Sequence, residues 1–274
     1  IVLNANQIND AYSRSGFRRP PAPRHATVGY QGRAVPAGGT LVMNAGKDLT
    51  AQAGDISAGK NASLSAGNDL NLNAETTGTS RRDGGKTRYS NGIDRTTVSA
   101  GEDLTLAAGR DINSQAAGLA AENDVNMKAG RDVNLLAEAT GEGSSSKSKK
   151  KTVIDDRVRQ QGTEIASGGN TSIIAGRDLN AEAAQVIAQQ DIAVRAGRDV
   201  NLDTATDSDY HYQETVKTKK GFLSKTKTHT ISEQSATREA GSLLSGDNVS
   251  VSAGNNLLVK GSSVVGDGDV ALSA

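Results

Sequence analysis

Ala129-Gly130-Arg131-Asp132-Val133-Asn134-Leu135 decides the fold, because a version of this stretch returns fifteen times along the 274 residues. Aligned on the Asp, the copies run from Thr40 through Asp48, Asn61 and Asp69, then Asp103, Asp111, Asp124 and Asp132, and on to Asp269. Fourteen of the fifteen carry Asp or Asn there, and twelve have Gly two residues earlier, the exceptions being Glu122, Gln189 and Asp267. Apolar side chains follow one and three residues later, as with Val133 and Leu135, while Asn134 falls between them. Each copy therefore reads as a tight corner followed by a short strand with one inward face. Gly is expected to supply positive φ at the corner, and Asp or Asn to bond its own nearby amides.

A strand of four residues buries too little to stand alone, so stability has to come from stacking one copy on the next. Within each group the step between copies is 8, 13 and 8, and 8 plus 13 gives a coil of 21. Each 13-residue step also carries an apolar residue five before the next Asp position, such as Ile56, Leu119, Val186 and Val264, which implies a third strand per coil. Three short strands and three corners in 21 residues predict an all-β chain, a right-handed parallel β-helix of about seven coils with β-hairpin excursions. Helical solenoids need longer periods and a 3.6-residue apolar rhythm.

The ladder is interrupted once per cycle. From Asp69 to Asp103 the step is 34, from Asp132 to Asn170 it is 38, and from Asp199 to Asn248 it is 49. The organisation expected is a cut repeat with a Pro-containing excursion over residues 1–35, then a ladder over 36–274 with excursions at about 74–97, 137–164 and 203–242. Val35, Val98, Ile165 and Leu243 are taken as the apolar slots where the chain re-enters the ladder. Alternating residues around Lys219-Lys220-Gly221-Phe222 read as a hairpin, as do the Thr-rich flanks of Asp83-Gly84-Gly85. Gly143-Ser144-Ser145-Ser146 reads as a mobile tip, and the excursion with Pro20, Pro21 and Pro23 as irregular.

Composition agrees with a narrow core. Only 3% of residues are aromatic and 35% are apolar, too few for one large globular core. There is no Cys, which excludes disulfides and thiolate metal sites. No apolar run reaches the length of a membrane span, and Ile1-Val2-Leu3-Asn4-Ala5 reads as a cut repeat, not a signal peptide. Net charge is zero, but ladder segments hold 9 basic and 16 acidic residues, leaving 22 basic and 15 acidic elsewhere out of 31 each. All seven aromatics and all three His (His25, His211, His229) fall in the excursions.

Calcium-binding β-rolls require a period of nine, whereas the steps here are 8 and 13, so no metal and no cofactor is expected. A polysaccharide-cleaving site would gather carboxylates beyond what the repeat demands, and nearly every ladder Asp is explained by the repeat. Asp155 and Asp156 are adjacent and point to opposite faces of an extended chain. No nucleophile constellation is visible, and the chain reads as non-catalytic. The remaining signal is basic: Arg81, Arg82, Lys86 and Arg88, then Lys147, Lys149, Lys150 and Lys151, then Lys217, Lys219, Lys220, Lys225 and Lys227. These either form a stripe that contacts anionic surfaces or protect hairpin edges from aberrant pairing.

Ala-Gly-Arg-Asp-[Leu/Ile/Val]-Asn at residues 108–113, 129–134, 175–180 and 196–201, with Thr- and Lys-rich excursions between blocks, resembles the hemagglutinin repeats of filamentous hemagglutinins and CdiA-type contact-dependent growth inhibition proteins. The resemblance implies a β-helical segment of a large secreted bacterial exoprotein, at the cell surface and associated with the outer membrane. It further implies a two-partner secretion transporter as partner and a role as filament and translocation region for toxin delivery. The alternative is an adhesin module that binds anionic host or bacterial surface glycans through basic hairpin tips. Neither nucleic acid nor a small-molecule substrate is expected as partner.

Overall fold

The structure, a computed structural model, describes residues 1–4, 6–13, 24–222 and 224–274; for residues 4, 6–13, 24, 25 and 28–31 it describes the backbone alone. The chain forms a parallel β-helix with three faces, each carrying eight strands stacked in parallel. One coil is represented by Leu104–Ala108, Ile112–Gln115 and Gly118–Ala121. Their partners in the next coil stand 21 residues on: Leu104 opposite Val125, Ile112 opposite Val133, Leu119 opposite its predecessor Val98. The coils number eight where seven are expected, because Val2–Asn4 already pairs as a strand with Leu49–Gln52.

Alternation places every second side chain inside. Leu49, Leu70, Ile112, Val133, Leu179 and Val200 form one continuous buried column, and Leu64, Leu106, Met127, Ile173, Val194 and Val251 form another. Each such side chain contributes roughly 1.5–3 kcal/mol by burial, which a four-residue strand could not gain without its neighbours. Where polar residues enter the column they do so in bonded pairs, Ser167 with Thr171 at 2.8 Å and Ser114 with Thr163 at 3.0 Å. At the last re-entry the buried residue is Leu244, not Leu243: Leu244 pairs with Val186 and Val264, and the corner after it is one residue shorter.

Corner chemistry differs from the expectation in two respects. None of the Gly residues two before an Asp position has positive φ. They are needed because coils stack backbone to backbone: a Cβ on Gly130 would run into the carbonyl of Gly109, and one on Gly109 into that of Gly67. The Asp side chains bond not their own corner but the next coil. Asp111 Oδ1 accepts from the amide of Asp132 at 3.2 Å, Asp132 Oδ1 from that of Asp178 at 3.2 Å, and Asp178 Oδ1 from that of Asp199 at 3.3 Å. Arg110, Arg131, Arg177 and Arg198 grip the carboxylates of Asp69, Asp111, Asp132 and Asp178, with Nε to Oδ1 at 2.7, 2.8, 2.9 and 2.7 Å. Asn113, Asn134, Asn180 and Asn201 add a parallel chain of amide bonds at 2.8–2.9 Å.

The third corner alternates between two constructions. In uninterrupted coils it is closed by a residue in the left-handed region, Ala53, Ala116, Ala183 or Gly261, with φ of 46, 50, 49 and 52°. In the coils between, a hairpin leaves at that point, and the chain re-enters through a buried hydroxyl. Thr96 donates to Asn73 O at 2.7 Å, Thr163 to Ser114 O at 2.9 Å, and Ser242 to Asp203 O at 3.0 Å. These hydroxyls satisfy carbonyls that the interrupted coil leaves inside.

Two outcomes check this reading. Hydrogen bonding from Arg198 holds the Asp178 carboxyl below its ordinary value, as Arg110 does for Asp69. A depressed folded-state pKa gives stability that is present above about pH 4 and is lost as pH falls through the folded value. The melting temperature is therefore expected to fall below about pH 4, with a shallower fall in Asp178→Asn, and Asp178→Ala is expected to lose about 2 kcal/mol at pH 7. Second, register equates Asp203 with Glu182 and Ser242 with Ala184, so Gly241 stands where Ala183 closes the uninterrupted corner. Deleting residues 204–240 should leave a chain with unchanged far-ultraviolet circular dichroism and an unreduced melting temperature, the shorter loop being easier to close.

Candidate functional site: the hairpin sheet

All four excursions are β-hairpins, and they pair edge to edge. In order, Asn6–Ser13, Arg24–Gln31, Glu75–Asp83, Lys86–Asp94, Glu138–Lys147, Lys151–Gln161, Asp199–Lys220 and Lys225–Gly241 form one antiparallel sheet of eight strands beside the solenoid. Asp199–Lys220 belongs to both bodies: residues up to Asp203 lie in the solenoid, and from Thr204 the strand runs out into the sheet. The first excursion is thus strand where an irregular segment is expected, since its flanks can pair with each other and with Glu75–Asp83. Pro20, Pro21, Pro23 and Phe17 lie outside the described residues, as do the side chains of Tyr12, His25 and Tyr30. Gly143 to Ser146 are not a tip but lie within a strand, paired on both sides.

Strand register separates two faces. One row reads Arg81, Arg88, Ser144, Asp155, His211, Gln234, and two residues nearer the solenoid a second reads Thr79, Ser90, Glu142, Arg157, Asp209, Ala236. These two rows share a face and line a groove of about 910 Å³. Between them, on the opposite face, runs Ser80, Tyr89, Gly143, Asp156, Tyr210, Ser235. Tyr89 reaches across Gly143, where any Cβ would collide with it, and donates to Asp156. That bond, with burial added, pushes the Tyr89 phenol up to about 12.

Near the solenoid the charged face is fully paired. Arg157 bridges Glu142 and Asp209 at 3.1 and 3.2 Å, Arg159 binds Asp209 at 2.8 Å, and Arg238 binds Asp207 at 3.1 Å. Asp207 is buried and also accepts from the amide of Gln160 at 2.8 Å. His211 Nδ1 lies 2.6 Å from Asp155. The ion pair with Arg159, foremost, holds the Asp209 carboxyl below its usual range.

The thirteen basic residues behave differently. All are exposed, and among the described residues none has a salt-bridge partner. Their hairpins leave the solenoid at the same corner, so the three tips lie along one distal edge of the sheet. Register divides them between faces: Arg81, Lys86, Arg88, Lys151, Lys217 and Lys219 on the groove face, Arg82, Lys147, Lys220, Lys225 and Lys227 on the other, with Lys149 and Lys150 in the turn.

The Hemagglutinin repeat family matches residues 25–95, 77–154, 141–231 and 221–274 in four overlapping copies. The chain belongs to the hemagglutinin repeat family. A "16S rRNA endonuclease CdiA" of Enterobacter cloacae is 65% identical over 161 residues, 59% of this chain and 5% of that protein. A "tRNA nuclease CdiA" of Escherichia coli is 57% identical over 240 residues, 88% of this chain and 7% of the relative. A "Deoxyribonuclease CdiA" of Dickeya dadantii is 41% identical over 237 residues, 85% of this chain and 7% of its own length. No solved structure matches.

Three of the four hemagglutinin repeat matches span parts of two successive hairpins and the coils between them, and the fourth runs from the last hairpin into the coils after it, so the hairpin belongs to the repeat as much as the ladder does. Sequence reasoning missed the acidic half of the sheet. Its signal was present as Arg157-x-Arg159 and Asp207-x-Asp209, spaced by two and able to face each other once the strands are adjacent. Tyr89 offers a direct check. Gly143→Ala should push the phenol off Asp156 with little effect on folding, and ultraviolet titration should then show the tyrosine that ionises at about 12 moving toward the ordinary value near 10.

Proposed function

We propose that this segment is a non-catalytic carrier region of a CdiA-type exoprotein, serving in filament formation and in translocation of a toxin into the target cell. What carries the reading is that relatives named for three different nuclease activities share this segment at 41% to 65% identity. A region common to proteins whose named reactions differ serves what they have in common, which is delivery, and the chain spans only 5% to 7% of their lengths. Passage through an outer-membrane transporter of a two-partner secretion system, and residence at the cell surface, follow from the same family. A chain without Cys suits that route, since no disulfide obstructs passage in an extended state.

A second reading, contact with anionic glycans on the target surface through the basic tips, is favoured by thirteen exposed basic side chains without ionic partners among the described residues. The two are separable in a full-length CdiA carrying this segment. Removing residues 204–240 should leave secretion and surface display intact and abolish killing while target-cell attachment persists, if the hairpins serve translocation. Loss of attachment in step with killing would favour the glycan reading, and unchanged killing would remove both. Retention of the isolated chain on heparin, eluting at low salt, would mark diffuse charge attraction only.

A further inference from the structure

We infer that the groove face of the hairpin sheet is a binding site for a phosphorylated sugar, with Arg81 and Arg88 clamping the phosphate. Arg81 and Arg88 are directly opposed on neighbouring strands. Like charges in that arrangement destabilise a sheet, and no counter-charge among the described residues relieves them. Every other arginine on this face, Arg157, Arg159 and Arg238, has its carboxylate. The groove therefore holds two uncompensated guanidinium groups at one end.

A phosphomonoester fits those two forks better than other oxyanions. It carries close to two negative charges and three acceptor oxygens, whereas one carboxylate is satisfied by one guanidinium and a sulfate ester has a single charge. Beyond the arginines the groove crosses to Lys225–Gly241, a span of six strands or about 24 Å. Its remaining charged groups are already paired, Arg157 with Glu142 and Asp209 and His211 with Asp155, and the Ser144 hydroxyl and the Gln234 amide lie beside them. Such a lining repels a second anion and offers acceptors and donors to sugar hydroxyls. The ligand is thus a sugar with its phosphate at the Arg81–Arg88 end. Arg81 and Arg88 stand two residues in from the Asp83–Lys86 end of their hairpin, and the site does not depend on the translocation role.

The test is calorimetric titration of the 274-residue chain with glucose 6-phosphate, glucose 6-sulfate, glucose and inorganic phosphate. Glucose 6-phosphate should bind more tightly than the other three. Arg81→Gln combined with Arg88→Gln should weaken it by about tenfold or more, whereas Lys219→Gln with Lys220→Gln at the tip should leave it unchanged. Arg88→Lys, which keeps charge and loses the fork, should fall between, and guards against a double variant that misfolds by circular dichroism. No binding at millimolar ligand overturns the proposal, as does wild-type affinity in the double variant. Equal affinity for inorganic phosphate would reduce the site to free phosphate, and equal loss in the tip variant would reduce it to diffuse attraction; either also overturns it.

Discussion

Hydrogen bonding between neighbouring strands sets one length, about 4.8 Å, and both the solenoid and the sheet beside it obey it. Two coils advance the solenoid by about 9.6 Å, and one hairpin contributes two strands, also about 9.6 Å. A continuous hairpin sheet is therefore possible only if a hairpin leaves every second coil. The alternation at the third corner meets this condition: Ala53, Ala116 and Ala183 close the coils between successive hairpins, and Gly261 closes the coil after the last. A hairpin at every coil would crowd four strands into the rise of two, and one at every third coil would open gaps no backbone bond can span.

The same length governs the corners. Carboxylates stacked one coil apart repel, yet each also meets the next coil's amide at hydrogen-bonding distance. Interleaving an arginine per coil resolves this, since Arg177 binds Asp132 and lies 3.4 Å from Asp178. Half-exposed ion pairs are individually weak; their value here is that the repeat turns them into a rail of alternating sign. Glycine two residues before the Asp is dictated by the same proximity, because carbonyls of adjacent coils leave no room for a Cβ.

Local periodicity made the ladder legible, because one short range of sequence fixes both corner and strand. Ile56, Leu119 and Val186 were readable as a third column for the same reason, and each is buried. What local reading assigned wrongly was the partner. The Asp acceptors and the Gly contacts look inward to their own corner in sequence, yet act on residues 21 or 46 positions away. Leu243 was misplaced because a corner one residue short is invisible until strands are in register. The hairpin sheet lay further out of reach: Tyr89 meets Asp156 across 67 residues, and nothing within either hairpin announces the pairing. The rise of two coils per hairpin would have announced it, had excursion spacing been converted to distance.

Charge on a hairpin has two possible uses, protecting an edge from aberrant pairing and attracting an anion, and position in the sheet distinguishes them. Lys225 and Lys227 lie on the outermost strand, and Lys217 to Lys220 lie where the long hairpin extends past Lys151 of its neighbour, so their charge guards backbone groups that no strand covers. Arg81 and Arg88 have no such duty. Their strands are covered on both sides, by Arg24–Gln31 and by Glu138–Lys147. A repulsive pair of guanidinium groups within a paired sheet works against its stability, and among the described residues the carboxylates that quench every other arginine on that face are absent at these two. Edge protection accounts for the charge on the long hairpin; it does not account for the pair within.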